Sequence, residues 1–342
     1  MGDADVLIVK GEEVRRVLSG RELDIIEIVQ KAYVSHARGE SSLPHSVFLR
    51  FPDDARNRII ALPAYLGGEI DAAGVKWISS FPSNLEKGLD RASASIILNS
   101  AETGRPEAIM EGSIISAKRT AASAALAAKY LHQPRQANSV GLIGCGLINF
   151  EITRFLLAVF PNIERLVIFD LDRARADNFG QMCQRVFGAV NIEVAADINS
   201  VLRRTSLVSL ATTTIVPHIS DVSEFSPGST ILHISLRDLS PEVIVACDNI
   251  VDDPDHVCRA QTSVHLTEQQ TGNRDFIRCT LGDIVTGTAA ARKDDRTVSV
   301  FSPFGLGILD IAVACLVRDI GLREGLGLVV ESFLPDPWTG AE

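Results

Sequence analysis

The chain has 342 residues, 46% of them hydrophobic and 22% charged, which is enough for two domains with cores of their own. Its net charge of −10 argues against a nucleic-acid partner. No apolar run reaches membrane-spanning length, and the opening MGDADVLIVKGEE lacks a long apolar stretch, so a cytoplasmic protein with no membrane partner is expected. The six cysteines form no CxxC pair and the seven histidines no HExxH pattern, so nothing asks for a metal and the thiols read as reduced.

In chain order, Ser19 and Glu22 have the spacing of a capping box. Ile25, Ile28, Val29, Ala32 and Tyr33 then recur at three and four residues, with Gly39 beyond, which predicts an amphipathic helix. The runs SVFLRF, RIIALPA, AAGVKWISS and ASASIILN predict strands, and SAETGRP after the last predicts a hairpin. The alanine-rich segment from Ile114 to Leu131 predicts a long helix, and QPRQAN a linker. From Ser139 the runs VGLIG, RLVIFD, IEVAA, SLVSLAT, TILHIS and NIVDD alternate with helical segments, as in a doubly wound parallel sheet, and the alternation ends near Val300. The final SPFGLGILDIAVACLVRDIGL predicts a turn entering an amphipathic helix.

The stretch SVGLIGCGLINFE places Gly141, Gly144 and Gly146 between a strand and a helix. Gly144 permits a tight turn, and Gly146 lets backbone N–H groups approach a pyrophosphate at the helix amino terminus. Leu147 and Ile148 belong to the same turn. Asn149 stands where the fingerprint has its third glycine, which implies a different packing of helix on strand. Asp170 closes the next strand, 26 residues beyond Gly144, where it can accept hydrogen bonds from ribose hydroxyls and repel a 2′-phosphate. Arg173 is the nearest downstream arginine, so NAD is expected over NADP. The alternative reading of Asp170 is a solvated strand-end carboxylate.

Four stretches, GVKWISSFPSNLEKGLDRASASIILN, ETGRPEAIMEGSIISAKRTAASAALAAKYL, IGCGLINFE and SPFGLGILDIAVA, together resemble the ornithine cyclodeaminase/μ-crystallin family over nearly the whole chain. Within it, GLDRASASIILN, GCGLINFE and ISLRD look most like the branch that forms 2,3-diaminopropionate for siderophores and peptide antibiotics. The resemblance implies a Rossmann-type NAD domain over residues 133–307. It also implies an α+β substrate-binding and dimerisation domain over residues 1–132, completed by 308–342, and a homodimer. The implied reaction oxidises N-(2-amino-2-carboxyethyl)-L-glutamate, a small amino-acid substrate with three carboxylates, and splits the imine with water.

That substrate needs fixed cations and a proton acceptor. Lys76, whose side chain points to the opposite face of its strand from Val75 and Trp77, matches the family lysine that binds a carboxylate; the alternative is a surface lysine lying along an apolar surface. Arg119 occupies the RTAA position and can grip a carboxylate bidentately, with Thr120 beside it on the cofactor side, whereas Lys118 is expected to be solvated. His45 stands where the family carries an arginine, and Arg50 and Arg91 are candidates for the missing charge. Asp238 in ISLRDLSPE aligns with the family's catalytic aspartate; the alternative is a helix N-cap. Thr212 and Thr213 at a strand end and Gly305 in SPFGLG are expected to line the cofactor. Competing functions are an ornithine cyclodeaminase, a cyclic imino acid reductase, and a non-catalytic small-ligand binder of the μ-crystallin type.

Overall fold

The computed structural model describes residue 2, residues 4–132 and residues 137–335; residues 133–136 of the expected linker lie outside it. The chain begins with β1 (Val6–Val9), α1 (Gly11–Leu18) and α2 (Glu22–Ala37). A run of strands follows: β2 (Ser41–Ser42), β3 (Val47–Phe51), β4 (Asp54–Leu66), β5 (Ala72–Ser80), β6 (Ala94–Ser100) and β7 (Pro106–Glu111), then α3 (Ser113–Leu131). Strands and helices then alternate through β8 (Ser139–Ile143), α4 (Leu147–Val159), β9 (Arg165–Phe169), α5 (Arg173–Phe187), β10 (Asn191–Val194) and α6 (Ile198–Arg204). Next come β11 (Leu207–Leu210), β12 (Thr230–His233), α7 (Pro241–Ala246), β13 (Asp248–Val251), α8 (Pro254–Val257) and α9 (Ser263–Thr271). The last elements are β14 (Ile277–Thr280), α10 (Leu281–Thr286), β15 (Ser299–Ser302), α11 (Gly307–Glu324) and β16 (Leu328–Val330). Among the described residues no helix is long and apolar enough to cross a membrane.

Two compact units result. One comprises Met1–Arg21, Arg38–Arg119 and Gly307–Glu342, the other Glu22–Ala37 and Thr120–Leu306. This division differs from the boundaries expected from the sequence, because α2 and the second half of α3 group with the glycine-turn unit. In α2, Ile25, Val29, Ala32 and Tyr33 are buried as expected, but Ile26 is buried where Ile28 is only half-covered. Tyr33 shares a hydrogen bond of 2.7 Å with Ser123 of α3, within the same unit.

The expected Ser19–Glu22 capping box is not the device that starts α2. Ser19 instead follows the last turn of a helix the periodicity did not predict, α1, and Gly20 continues in the left-handed region at φ 70°. At the start of α1, the Lys10 N–H donates to Glu13 at 2.8 Å, and Val14, Val17 and Leu18 are buried. Eight residues with three apolar positions are too short for periodicity to register.

The first unit is built on an eight-stranded sheet ordered β16-β1-β7-β6-β5-β4-β2, with β3 also paired to β4. Among the described residues of this sheet only the β1–β7 pair is parallel; the hairpin expected at SAETGRP joins β6 to β7. In register across the meander, Leu62 of β4 and Ile96 of β6 flank Lys76 of β5, while Ala61 flanks the neighbouring Trp77 on the other face. Helix α11 approaches β5 closely because position 74 is glycine: a Cβ there would lie 2.8 Å from Ile311 Cδ1 and closer still to the Ile97 carbonyl. From Gly307 to Cys315 α11 is buried on every side, so the amphipathic helix expected from the sequence is instead a core helix.

The second unit carries eight strands, all parallel, ordered β10-β9-β8-β11-β12-β15-β13-β14. This is a Rossmann-type doubly wound sheet. The chain runs outward from β8 in both directions, so the switch point lies between β8 and β11, where ligands of such sheets gather. Strands β14 and β15 extend it beyond the six expected runs.

Candidate active site

In the first unit three charged side chains meet in the core. Lys76 points inward from β5 and is 2% exposed, while Arg119 comes from α3 and Asp310 from α11. Lys76 Nζ donates to Asp310 Oδ2 at 2.7 Å and to Ser116 Oγ at 3.1 Å, and Arg119 Nε donates to Asp310 Oδ1 at 3.1 Å. Burial, then the neighbouring Arg119 charge, pushes the Lys76 amine down to about 8, against the opposing pull of Asp310. Lys76 and Arg119, both expected at the site, are therefore adjacent. Lys118, expected in solvent, is buried, a correction that follows from the burial of α3 on nearly every side, with Ala121, Ala122, Ala124 and Ala125 fully covered.

Asp310 was not singled out from the sequence. Its signal is a lone carboxylate inside the apolar run GILDIAVA, where burying an uncompensated charge costs on the order of several kcal/mol. The other expected cations stand apart in character. His45, Arg50 and Arg91 are exposed. Arg50 lies over the Phe48 ring at 5.6 Å, and Arg91 donates to Ser80 Oγ at 3.1 Å.

In the second unit the glycine turn sits at the end of β8. Gly144 has φ +92°, and a Cβ there would collide with the Ala211 carbonyl; at Gly141 it would meet Val201 Cγ1 at 2.6 Å. Gly146 begins α4 with no side-chain cap, and a Cβ there would meet open space. Leu147 is 62% exposed and Ile148 half-buried. An uncapped helix amino terminus beside open space fits a dinucleotide pyrophosphate. Asn149 is fully buried and gives its amide hydrogens to the carbonyls of Ile143 at 3.0 Å and Gly144 at 2.7 Å. A side chain that ties the turn from within takes the place of the third glycine.

Asp170 follows β9 and is half-exposed. Its Oδ2 accepts the Cys145 N–H at 2.8 Å and its Oδ1 the Asp172 N–H at 3.0 Å. The carboxylate thus braces the glycine turn and keeps lone pairs for further donors. Arg173 is occupied by Asp177 at 3.0 Å.

Asp238 is fully buried and is not a helix cap; Ser240 caps α7, accepting from the Val243 N–H. Thr212 Oγ1 donates to Asp238 Oδ1 at 2.6 Å, and Ser235 Oγ donates to Oδ2. His233 Nε2 lies 3.4 Å from Oδ2 and 3.2 Å from the Asp238 nitrogen. Burial pushes this carboxyl up, but the contacts from His233, Ser235 and Thr212 outweigh it and hold it at about 2. The loop carrying it is strained. Leu236 has φ 68°, and Ala260 and Gln261 both have φ 55°. Each non-glycine residue in this region costs about 1–2 kcal/mol. Two bonds of 2.7 Å, Arg237 to the Ala260 carbonyl and the Ser263 N–H to the Leu236 carbonyl, hold the strained segments together.

Thr213 is exposed, Thr120 half-buried in α3, and Gly305 buried with φ +95°. The N–H groups of Phe304 and Gly305 donate to the buried Asp252 at 2.9 and 2.7 Å, so the SPFGLG turn is anchored by a carboxylate that the strand reading of NIVDD passed over.

Residues 7–324 match the ornithine cyclodeaminase/mu-crystallin family. The chain is 30% identical over 314 residues to N-((2S)-2-amino-2-carboxyethyl)-L-glutamate dehydrogenase of Staphylococcus aureus, covering 90% of this chain and 93% of that protein. It is 28% identical over 337 residues to alanine dehydrogenase of Archaeoglobus fulgidus, covering 96% and 99%. Among solved structures, the Δ(1)-pyrroline-2-carboxylate reductase of Thermococcus litoralis in complex with NADH and L-proline superposes with a TM-score of 0.88 at 26% identity, covering 94% of this chain and 99% of the other. An archaeal alanine dehydrogenase dimer with bound NAD superposes at 0.85 and 27% identity, covering 96% and 99%.

Proposed function

The chain belongs to the ornithine cyclodeaminase/mu-crystallin family, and from that premise we propose that it oxidises N-(2-amino-2-carboxyethyl)-L-glutamate with NAD and water, releasing 2,3-diaminopropionate, 2-oxoglutarate and NADH. It is an NAD-dependent amino-acid dehydrogenase. The observation that carries the proposal is the buried Lys76–Asp310–Arg119 cluster, two cations on one carboxylate in a chain 30% identical to a dehydrogenase of that substrate.

Gly144, Gly146 and the first turn of α4 hold the pyrophosphate, and Asp170 the adenosine ribose. Bound there, NAD supplies the hydride acceptor. Lys76 and Arg119 bind the carboxylate next to the reacting α-carbon and fix its orientation. Asp238, ionised throughout the working pH range, pairs with a substrate ammonium; a group held at about 2 suits that role better than storing a proton. Lys76, at about 8, is the group whose proton can move near neutrality as the secondary amine is oxidised and water adds to the imine. Arg91, Arg50 and His45 are the candidates for the outer carboxylates.

A second reading, reduction of a small cyclic imino monocarboxylate, draws on the burial of one cation cluster and the exposure of the other three groups, and on the likeness to the pyrroline-2-carboxylate reductase. Mass spectrometry after mixing pure protein, NAD and N-(2-amino-2-carboxyethyl)-L-glutamate decides between them. Equal amounts of the three products support the first reading. No NADH from that amine, with NADH consumed by pyrroline-2-carboxylate, establishes the second, and proline plus ammonia from ornithine makes the protein a cyclodeaminase.

The proposed assembly is a homodimer. Val47 and Leu49 of β3 and Trp77 of β5 are 64%, 42% and 45% exposed. Val47, Ala61 and Trp77 lie in register on one face of the sheet, an apolar surface that a second copy would cover.

A further inference from the structure

We propose that Asp310 is a positioning residue that holds Lys76 and Arg119 as a seat with one surplus positive charge, matched to a single substrate carboxylate. The proposal rests on the substrate-binding role assigned to those two cations above.

Asp310 is fully buried, and each of its oxygens serves a different cation: Oδ2 takes Lys76 Nζ at 2.7 Å, Oδ1 takes Arg119 Nε at 3.1 Å. A carboxylate used at both ends bridges its donors and sets their spacing. It also leaves part of each cation unspent, because a guanidinium has five N–H donors and an ammonium three. Lys76 uses one further donor on Ser116.

The charge count decides what the seat takes. Two cations and one carboxylate leave a surplus of one in a place where burial makes uncompensated charge costly. A carboxylate entering beside them neutralises the seat, whereas an amide of the same shape leaves the surplus in place. Without Asp310 the two cations would repel each other in the core, and the amine, which already loses affinity for its proton to burial and to Arg119, would lose more. The strands flanking Lys76 present Leu62 and Ile96 in register, so among the described residues the charged groups facing it are Arg119 from α3 and Asp310 from α11. Gly74 makes the arrangement possible by letting α11 settle onto β5 one residue from Asp310.

Ligand-observed NMR on the full-length protein tests this with propionate and its uncharged counterpart propionamide, between about pH 6.5 and about pH 9.5. The wild type should bind propionate and not propionamide, with affinity falling as pH rises past the Lys76 midpoint. Asp310→Asn should move that midpoint at least one pH unit lower, and Asp310→Glu should bring it back toward the wild type. Lys76→Met leaves a neutral Arg119–Asp310 pair, folds without an uncompensated charge, and should bind propionate at least tenfold more weakly with the pH dependence gone. A folded Asp310→Asn with an unchanged midpoint overturns the proposal. So does equal binding of propionate and propionamide by the wild type, or wild-type affinity in Lys76→Met. Because turnover is not the readout, failure of the glutamate-derived amine as a substrate with these results intact would sink that substrate and leave the role of Asp310 standing.

Discussion

Asn149 spans the turn between β8 and α4, its side-chain amide donating to the Ile143 carbonyl at 3.0 Å and to the Gly144 carbonyl at 2.7 Å. The glycine that the usual fingerprint carries here could make neither bond. Asn149→Gly, although it restores the usual motif, should therefore destabilise the protein by about 1–3 kcal/mol, the cost of leaving the Gly144 carbonyl unsatisfied, while the Ile143 carbonyl keeps the Ala211 N–H at 3.0 Å. Chemical denaturation measures the loss. Unchanged stability would mean that the Gly144 carbonyl finds another donor.

Asp170 has two tasks, bracing Cys145 and Asp172 and facing the adenosine ribose. The wild type should bind NAD at least about tenfold more tightly than NADP, a difference of about 1.4 kcal/mol. Asp170→Ala should weaken NAD binding, narrow the gap and lower the melting temperature together, since the Cys145 N–H loses its acceptor. Fluorescence titration with both cofactors provides the check, and equal wild-type affinities would remove the carboxylate from cofactor selection.

Asp238→Asn keeps the shape of the side chain and discards its charge. Turnover should fall by about two orders of magnitude or more while NAD affinity stays within a few-fold. Because the folded carboxyl titrates at about 2, far below the assay range, the wild-type pH profile should show no acidic limb from this group above about pH 4. Its stability contribution has the same sign. A carboxyl held below its unfolded value stabilises the fold at neutral pH and loses that contribution as the pH falls from about 4 through about 2. Near-wild-type turnover in the variant would limit Asp238 to bracing its loop.

The exposed apolar face of the first unit predicts its own test. Val47→Asp combined with Trp77→Asp should convert a dimer to a monomer at micromolar concentration, read by light scattering, because charges placed opposite themselves across a two-fold interface repel. A wild type that is monomeric under the same conditions would remove the second copy from this face.

Much of the architecture was legible in the order of residues. Alternating apolar runs from Ser139 onward announced the parallel sheet, GLIGCG its switch-point turn, and LVIFD the acidic strand end, because backbone periodicity and turn chemistry act over neighbouring residues. The meander and hairpin of the first unit were equally local, and Lys76 and Arg119 were marked by their positions in motifs. What surrounds those two was not local. Asp310 lies 234 residues from Lys76 and 191 from Arg119, in a helix whose pattern reads as amphipathic but whose first turns are buried all round. The bracing of Asp238 by Thr212, the anchoring of Gly305 by Asp252, and the placing of β15 between β12 and β13 join segments separated by dozens of residues. Such pairings are set by which charges and strand edges have to be satisfied once the core closes. Only the folded chain brings those groups within reach, and no spacing along the sequence records them.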